Sequence, residues 1–401
     1  MADTILVVNA GSSSIKFSVY TIGEESALSL TVKGQVDGIG TRPRLRARDG
    51  GGGPLVDQQY PVADIPDVAI AMGCVGAWLR EHLAGAVPVA VGHRVAHGGP
   101  DYRAPVAVNH EILAALERLV PLAPMHQPFN LRPIRTIQER FPRTVQVACF
   151  DTGFHRGHRD VADRFAISDA LYQEGVRRYG FHGLSYEYIA RALPSVAPEI
   201  AQGSVVVAHL GSGASMCAIK GGQSVDSTMA FTGLDGLPMG TRCGQIDPGV
   251  LLYLVAEKGY GAKELERFLY HETGLRGLSG ISNDVRDLLA SEDPRARLAL
   301  DYFVYRVTKE LGALAAAMQG IDALVLTAGI SENSPDMRAR ICRGAAWLGL
   351  RLDEAANRAG GPRISTRDSK VSAWVIPTDE ERMIAEHTLT VYREQAVPFP
   401  A

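Results

Sequence analysis

One short pattern occurs twice, 200 residues apart, in a chain of 401. The apolar run 4–9 reaches the turn Ala10-Gly11-Ser12-Ser13-Ser14 and resumes as 15–20. The run 205–208 reaches His209-Leu210-Gly211-Ser212-Gly213 and resumes as 215–219. Strand, small-residue turn, strand is a hairpin signature. With Asn9 set over His209, Gly11 falls on Gly211 and Ser12 on Ser212. Either turn alone reads as an ordinary tight hairpin. Two of them at half-chain spacing predict a duplicated fold, where length alone, at roughly 150 residues per domain, gives only two or three domains.

The remaining segments alternate strand and helix. Residues 87–91 read as a buried strand giving way to a loop over 92–99, and 145–150 as a second buried strand. Residues 109–119 and 130–140 read as helices, and the stretch containing Gly50–Gly53 as an exposed polar loop. In the second half, 247–258, 262–273, 283–290, 294–319 and 335–348 carry helical spacing. Residues 322–327 and 373–376 read as strands, and 379–395 as a last helix. Such alternation predicts an α/β protein.

Composition narrows the function classes. With 46% hydrophobic and 21% charged residues, the chain has ample apolar surface to fold. A formal charge of 41 − 44 = −3 gives no long-range attraction to nucleic acid or an anionic membrane. No segment approaches the ~18 apolar residues of a membrane span, and Met-Ala-Asp-Thr-Ile does not open a signal peptide. Cys74, Cys149, Cys217, Cys243 and Cys342 are scattered, with no pair at metal-ligand spacing. They read as reduced thiols of a cytoplasmic protein. Cys149 and Cys243 neighbour candidate site residues and are candidates for alkylation without being catalytic.

No G-x-x-x-x-G-K-[ST] loop occurs, and no G-x-G-x-x-G opens a helix after a strand. The candidate phosphate cradles are the two hairpin turns, where small residues let backbone N–H groups converge on an anion. Lys16 lies just beyond the first. Arg94, read in a loop, offers a planar fork that suits a carboxylate or phosphate; a surface arginine is the plain alternative. Asp151 ends a strand, where open α/β sheets place their ligands, or simply starts a loop. His182 precedes a helix for which Ser185 is the expected N-cap, and Arg242 stands among glycines. Thr378-Asp-Glu-Glu381 matches a capping box, with Thr378 as N-cap and Glu381 reaching back, which leaves Glu380 available for other work.

Taken together, six blocks resemble the acetate kinase family. They are Val8-Asn-Ala-Gly-Ser-Ser-Ser-Ile-Lys16, Gly92-His-Arg-Val-Ala-His-Gly-Gly99, Phe150-Asp-Thr-Gly-Phe-His155, Gly180-Phe-His-Gly183, Met239-Gly-Thr-Arg242 and Pro377-Thr-Asp-Glu-Glu381. They run in order along essentially the whole chain. The resemblance implies an α/β fold of two ribonuclease-H-like domains, of the duplicated acetate/sugar kinase–actin type, with an inter-domain active-site cleft. The domains would be 1–150 plus 377–401, and 151–376. It also implies reversible, ATP-dependent phosphorylation of acetate to acetyl phosphate by direct in-line transfer. ATP/ADP would be the co-substrate and Mg2+ the metal, with Mn2+ able to substitute, in a cytoplasmic homodimer with no nucleic-acid or membrane partner.

Carried over residue by residue, the resemblance makes Asp151 the essential active-site acid, and His182 and Arg242 the stabilisers of the transferring phosphoryl. Arg94 would bind the carboxylate, with Ala96, Met125, Phe181 and Gly233 around the acetyl group. Asn9 and Glu380 would hold the metal shell. Ser12, Ser14 and Lys16 would line the first phosphate turn, and His209, Leu210, Gly211, Ser212 and Gly213 the second. Asp284, Val285 and Arg286, with Gly329, Ile330, Ser331, Glu332 and Asn333, match nucleotide-binding segments. The plain alternatives there are a helix start and a loop before a helix capped by Ser334, with Pro335 behind it.

The chemistry suits these residue types. A carboxylate nucleophile, with a pKa near 4, arrives ionised, so Asp151 need not act as a base. Two unit charges ~4 Å apart cost on the order of 4 kcal/mol at an effective dielectric near 20, which two arginines, a histidine and Mg2+ would offset. The chain departs from the family at Ser212 for a usual Asn and at Gln245 for a common Asp. Around the acetyl group Ala96 replaces Val, Gly233 replaces Pro and Met125 replaces Leu. Lost methyls enlarge a pocket, so propionate is expected to serve better than in a typical member. Propionate or butyrate kinase is the near alternative. A nucleotide-gated actin-like binding protein is the distant one, and it would not need Arg94 and Arg242 at an acceptor site.

Overall fold

The computed structural model describes residues 3–83, 85 and 87–396. Its contacts divide the chain into two compact units, Met1–Gly153 with Asp379–Ala401, and Phe154–Thr378. Residues 397–401, part of the expected first domain, lie outside the described residues.

The first unit opens with β1 (Thr4–Ala10) and β2 (Ser14–Ile22), paired antiparallel with Asn9 opposite Lys16. The antiparallel run continues through β3 (Leu28–Asp37), β4 (Arg44–Asp49) and β5 (Pro54–Gln59). On the other side of β1, strands β6 (Ala90–Val95) and β8 (Val145–Phe150) add in parallel, with short β7 (Val106–Ala107) at the edge. The second unit opens with β9 (Ser204–Leu210), β10 (Ala214–Lys220) and β11 (Gln223–Ser227), and adds parallel β12 (Ala323–Thr327) and β13 (Ser372–Val375). Its order, β11-β10-β9-β12-β13, repeats the inner order β3-β2-β1-β6-β8 of the first sheet, strand direction included. The expected duplication is therefore a repeated topology, with His209 opposite Ser215 as Asn9 is opposite Lys16.

Burial explains why these strands are central. All seven residues of β9 are buried, and six of seven in β1, the pattern of strands covered on both faces. The C-terminal helix Glu380–Ala396 lies on β6 of the first unit. Gly92 permits this approach, since a Cβ there would stand 2.2 Å from Thr388 Oγ1 and 2.7 Å from Ile384 Cγ2. The long helix Pro294–Met318 lends Phe303, Val307, Leu311 and Leu314 to the core of the second unit.

Several local expectations are corrected. Gly50–Gly53 closes the β4–β5 hairpin; the strands around it escaped notice because one face of β3–β5 is solvated and only alternate residues are apolar. The strand expected at 87–91 runs from Ala90 to Val95, so Gly92, His93 and Arg94 lie inside it rather than in a loop. Pairing with β1 and β8 on both sides overrides the loop-like composition. His209 and Leu210 belong to β9, which leaves 211–213 as the turn. The helix Gly183–Val196 has His182 at its N-cap, not Ser185. The helix expected over 262–273 becomes a π turn at Phe268–Glu272, and residues 329–333, for which a loop is the plain alternative, belong to the helix Ala328–Asn333. Finally, Asp379, not Thr378, caps the last helix: its Oδ1 accepts the Arg382 N–H at 2.9 Å, while Glu381 pairs with Lys33 at 3.4 Å.

Candidate functional site

In the first unit, parallel strands β1, β6 and β8 bring Asn9, Arg94 and Asp151 to one edge of the sheet. Arg94 donates from Nε to Asp151 Oδ1 at 3.0 Å and from Nη2 to Oδ2 at 2.6 Å, and its Nη1 faces Asn9 Oδ1 at 3.4 Å. The fork expected to await a substrate carboxylate is thus already closed on Asp151, whose side chain is only 3% exposed. Burial disfavours the charge on Arg94, but Asp151 and Glu380 outweigh it and raise its pKa. Glu380, in the first turn of the last helix, is pushed above the usual carboxylate range by burial, against the pull of Arg94 and Lys16. Around the first turn Ser12 and Lys16 are exposed and Ser14 half-buried, and Gly11 N–H is held by Ser14 O at 2.8 Å.

Two residues that sequence reasoning missed hold this edge together. Asn130 donates to Ala10 O at 2.7 Å and accepts the Ala96 N–H at 2.9 Å. Gln127 accepts the His97 N–H at 3.1 Å and donates back to His97 O at 2.9 Å. Both sit with Ile134 and Ile137 among the buried residues of the helix Gln127–Arg140. Polar side chains at core-facing helical spacing were the available signal. Ala96 is buried and Met125 half-buried.

The second unit gathers a different set. His182 adopts φ 57°, a conformation that is uncommon and strained for a residue other than glycine. Its Nδ1 lies 2.8 Å from Ser215 Oγ, which is 2.5 Å from Tyr186 OH. The His182 ring stacks on His209 with centroids 4.2 Å apart, and Ser185 Oγ holds His209 Nδ1 at 2.8 Å. Arg242 donates from Nη1 to Gly233 O at 2.6 Å. A Cβ at Gly213 would stand 3.0 Å from Arg242 Nη2 and 3.4 Å from His182 Nε2. Two potential phosphoryl ligands therefore converge on a turn that only glycine leaves open. A Cβ at Gly233 would also stand 3.0 Å from Arg242 Nη1, so the guanidinium, rather than empty space, adjoins this position. Phe181 is buried, its carbonyl accepting from His155 Nε2 at 3.0 Å.

Beside the turn lies a cavity of about 510 Å³, within the range of small-molecule sites. Gly211 and Ser212 meet Asp284, Val285 and Arg286 there, with Gly329, Ile330 and Asn333 on another wall and Leu289 and Phe303 as apolar lining. Asp284 caps its helix and is held below the usual carboxylate range by the hydrogen-bonded Arg286. Ser331 and Glu332 are not among the lining residues. Glu332 Oε1 instead accepts the Ala328 N–H at 2.7 Å, where Ala328 has φ 67°. Leu210 is fully buried in the core. Cys149 is fully buried too, and burial raises the thiol pKa of half-buried Cys243; both effects lower the expected reactivity.

A duplicated α/β core with a glycine-containing turn beside this cavity has the acetate/sugar kinase–actin type of fold, and its class is the phosphotransferases. Within that class the chain belongs to the acetokinase family, whose model matches residues 4–386. It is 61% identical to the acetate kinase of Nitrobacter hamburgensis over 394 residues, 98% of this chain and 97% of that one. It is 54% identical to that of Rhizobium meliloti over 389 residues, 97% and 98% of the two chains. Among solved structures, Porphyromonas gingivalis acetate kinase superposes with a TM-score of 0.85 at 35% identity, covering 97% of this chain and all of that one. A Francisella tularensis propionate kinase superposes with a TM-score of 0.89 at 33% identity, with the same coverage.

Proposed function

We propose that the protein transfers the γ-phosphoryl group of ATP to acetate, reversibly, giving acetyl phosphate and ADP. The observation that carries this reading is the convergence of Arg242 and His182 on Gly213, at the turn that borders the cavity. In the forward direction an acetate oxygen attacks the γ-phosphorus in line. The bond to the bridging oxygen breaks, and its electron pair leaves on ADP. No proton moves, because the nucleophile is already a carboxylate. Arg242 and His182 match the charge on the equatorial oxygens. Asp151 holds Arg94 in register through Nε and Nη2, and Arg94 meets the carboxylate with Nη1. Ala96, Met125, Phe181 and Gly233 are the residues we assign to the acetyl pocket. Ser12, Ser14, Lys16 and residues 209–213 are assigned to the phosphates, and 284–286 with 329–333 to the nucleoside.

Mg2+ fits the residues assigned to it. Among the described residues no three His, Cys, Asp or Glu side chains gather as an all-protein cage, and Mg2+ in kinase sites keeps waters and phosphate oxygens, with few protein ligands. Glu380 fits such a role because its carboxylate is buried enough to be pushed up in pKa despite Arg94 and Lys16. Asn9 and Glu380 would hold the metal's shell. Bound there, the ion would neutralise charge on the β- and γ-phosphates.

A homodimer is part of the proposal. No residue of the apolar helix Pro248–Lys258 is buried, and Leu252 is 70% exposed, which favours a second copy as its cover. Five free thiols fit the cytoplasm, and no helix among the described residues is long and apolar enough to cross a membrane.

The test is hydroxylamine trapping of acyl phosphate with ATP, Mg2+ and formate, acetate, propionate or butyrate. Acetate is expected to give the highest rate; hydroxamate with none of the four would reject the proposal. The propionate and butyrate readings are disfavoured by curated relatives that are acetate kinases at 50–61% identity. Arg242 adjoining Gly233 leaves Ala96 as the main support for a roomier pocket.

A further inference from the structure

We infer that Ser215 and Tyr186 form a hydroxyl relay that fixes the His182 ring as an Nε2–H donor, making both of them positioning residues for phosphoryl transfer. The inference rests on the proposed role of His182. Ser215 and Tyr186 are fully buried, and Ser215 Oγ lies between Tyr186 OH, at 2.5 Å, and His182 Nδ1, at 2.8 Å. A serine hydroxyl has one proton and cannot donate both ways. The phenol is the better donor, so Tyr186 donates to Ser215, and Ser215 donates to Nδ1. A neutral ring accepting at Nδ1 carries its proton on Nε2, the nitrogen that faces Gly213. An imidazolium carries one there as well, with Ser215 turning to accept from Nδ1. Either way Nε2 presents a hydrogen to a phosphoryl oxygen. The other neutral tautomer would present a lone pair and repel it.

Two further observations single out this serine. The ring it holds is fixed on its face by His209, which Ser185 in turn anchors. Ser215 also occupies the ladder position opposite His209 that Lys16 occupies opposite Asn9, so the duplicated hairpin presents a polar side chain at the same place in both units.

The test combines kinetics with imidazole nitrogen NMR. Ser215→Ala is expected to lower kcat on the order of 10- to 100-fold, the range typical of removing an orienting partner, with the KM for ATP and acetate held within about twofold. Tyr186→Phe, which removes one oxygen, should lower kcat in the same sense and by less. In a His182→Ala background, Ser215→Ala should change kcat by no more than about twofold, since the relay then has nothing to orient. The 15N spectrum should show His182 as the Nε2–H tautomer in the wild type and a tautomer mixture in Ser215→Ala. Undiminished kcat in His182→Ala would overturn the role of His182 itself. A crippled His182→Ala that loses a further tenfold with Ser215→Ala, or an unchanged tautomer, would overturn the relay alone.

Discussion

Arg94 has two nitrogens on Asp151 and a third facing Asn9, so its removal strands the buried Asp151 carboxylate. Breaking a buried pair from one side costs about 3–5 kcal/mol, and the 21% exposure of the Arg94 side chain points to the lower end. Arg94→Ala is therefore expected to lower the melting temperature as well as to raise the acetate KM more than the ATP KM. Arg94→Ala/Asp151→Ala should regain stability without regaining kcat. Calorimetry and kinetics on the three variants check this, and an unchanged melting temperature in Arg94→Ala would contradict it. Burial also pushes His93 down to about 4, despite its bond to Gln146, and pushes His155 well below its ordinary value. The unfolded chain then binds more protons than the folded one from about pH 6.5 downward. Stability is full above that pH and falls as acid is added, by roughly 1.4 kcal/mol per pH unit for each proton. His93→Gln should flatten this acid limb in melts taken from pH 7 to 4.5; an unaltered slope would count against a neutral His93. At this scale Asn9 came through the family resemblance alone, while Asp151 at its strand end and Arg94 with its planar fork were legible from the residues themselves. Asn130, Gln127 and Ser215 were not, because their partners lie 120, 30 and 33 residues away.

The turn 211–213 shows what one element contributes. Gly213→Ala would place a methyl against Arg242 and His182, where the clearance is 3.0 and 3.4 Å. It is expected to reduce kcat on the order of 10- to 100-fold, the scale of a misplaced reacting group, with little change in melting temperature. A fully active Gly213→Ala enzyme would mean that the two side chains do not work above this turn. The helix Ala328–Asn333 carries a second prediction. Ala328 holds φ 67° under the grip of Glu332, so Ala328→Gly should be neutral or stabilising by about 1 kcal/mol; clear destabilisation in chemical denaturation would contradict this. Strands covered on both faces were legible as continuous apolar runs. The meander β3–β5, half solvated, and the caps at His182 and Asp379 were not, because a left-handed N-cap and a choice between the adjacent Thr378 and Asp379 are settled by tertiary contacts.

For the whole molecule, the duplicated hairpin was the most informative part of the sequence, and the repeated strand order gives it a physical basis. One unit contains the Arg94–Asp151 pair with Asn9 and Glu380, and the other contains His182, Arg242 and the cavity. Leu252→Glu, on the exposed helix Pro248–Lys258, should yield a monomer by light scattering if that face is the dimer contact; an intact dimer would place the contact elsewhere. The central claim is that a carboxylate oxygen attacks phosphorus and becomes the bridging oxygen of the product. Acetate carrying 18O at both oxygens, incubated with ATP, Mg2+ and the protein and followed by 31P NMR, tests this most directly. The expected product is acetyl phosphate whose phosphorus signal is isotope-shifted by one 18O in the bridge to carbon. An unshifted signal, or no acetyl phosphate at all, would contradict the account.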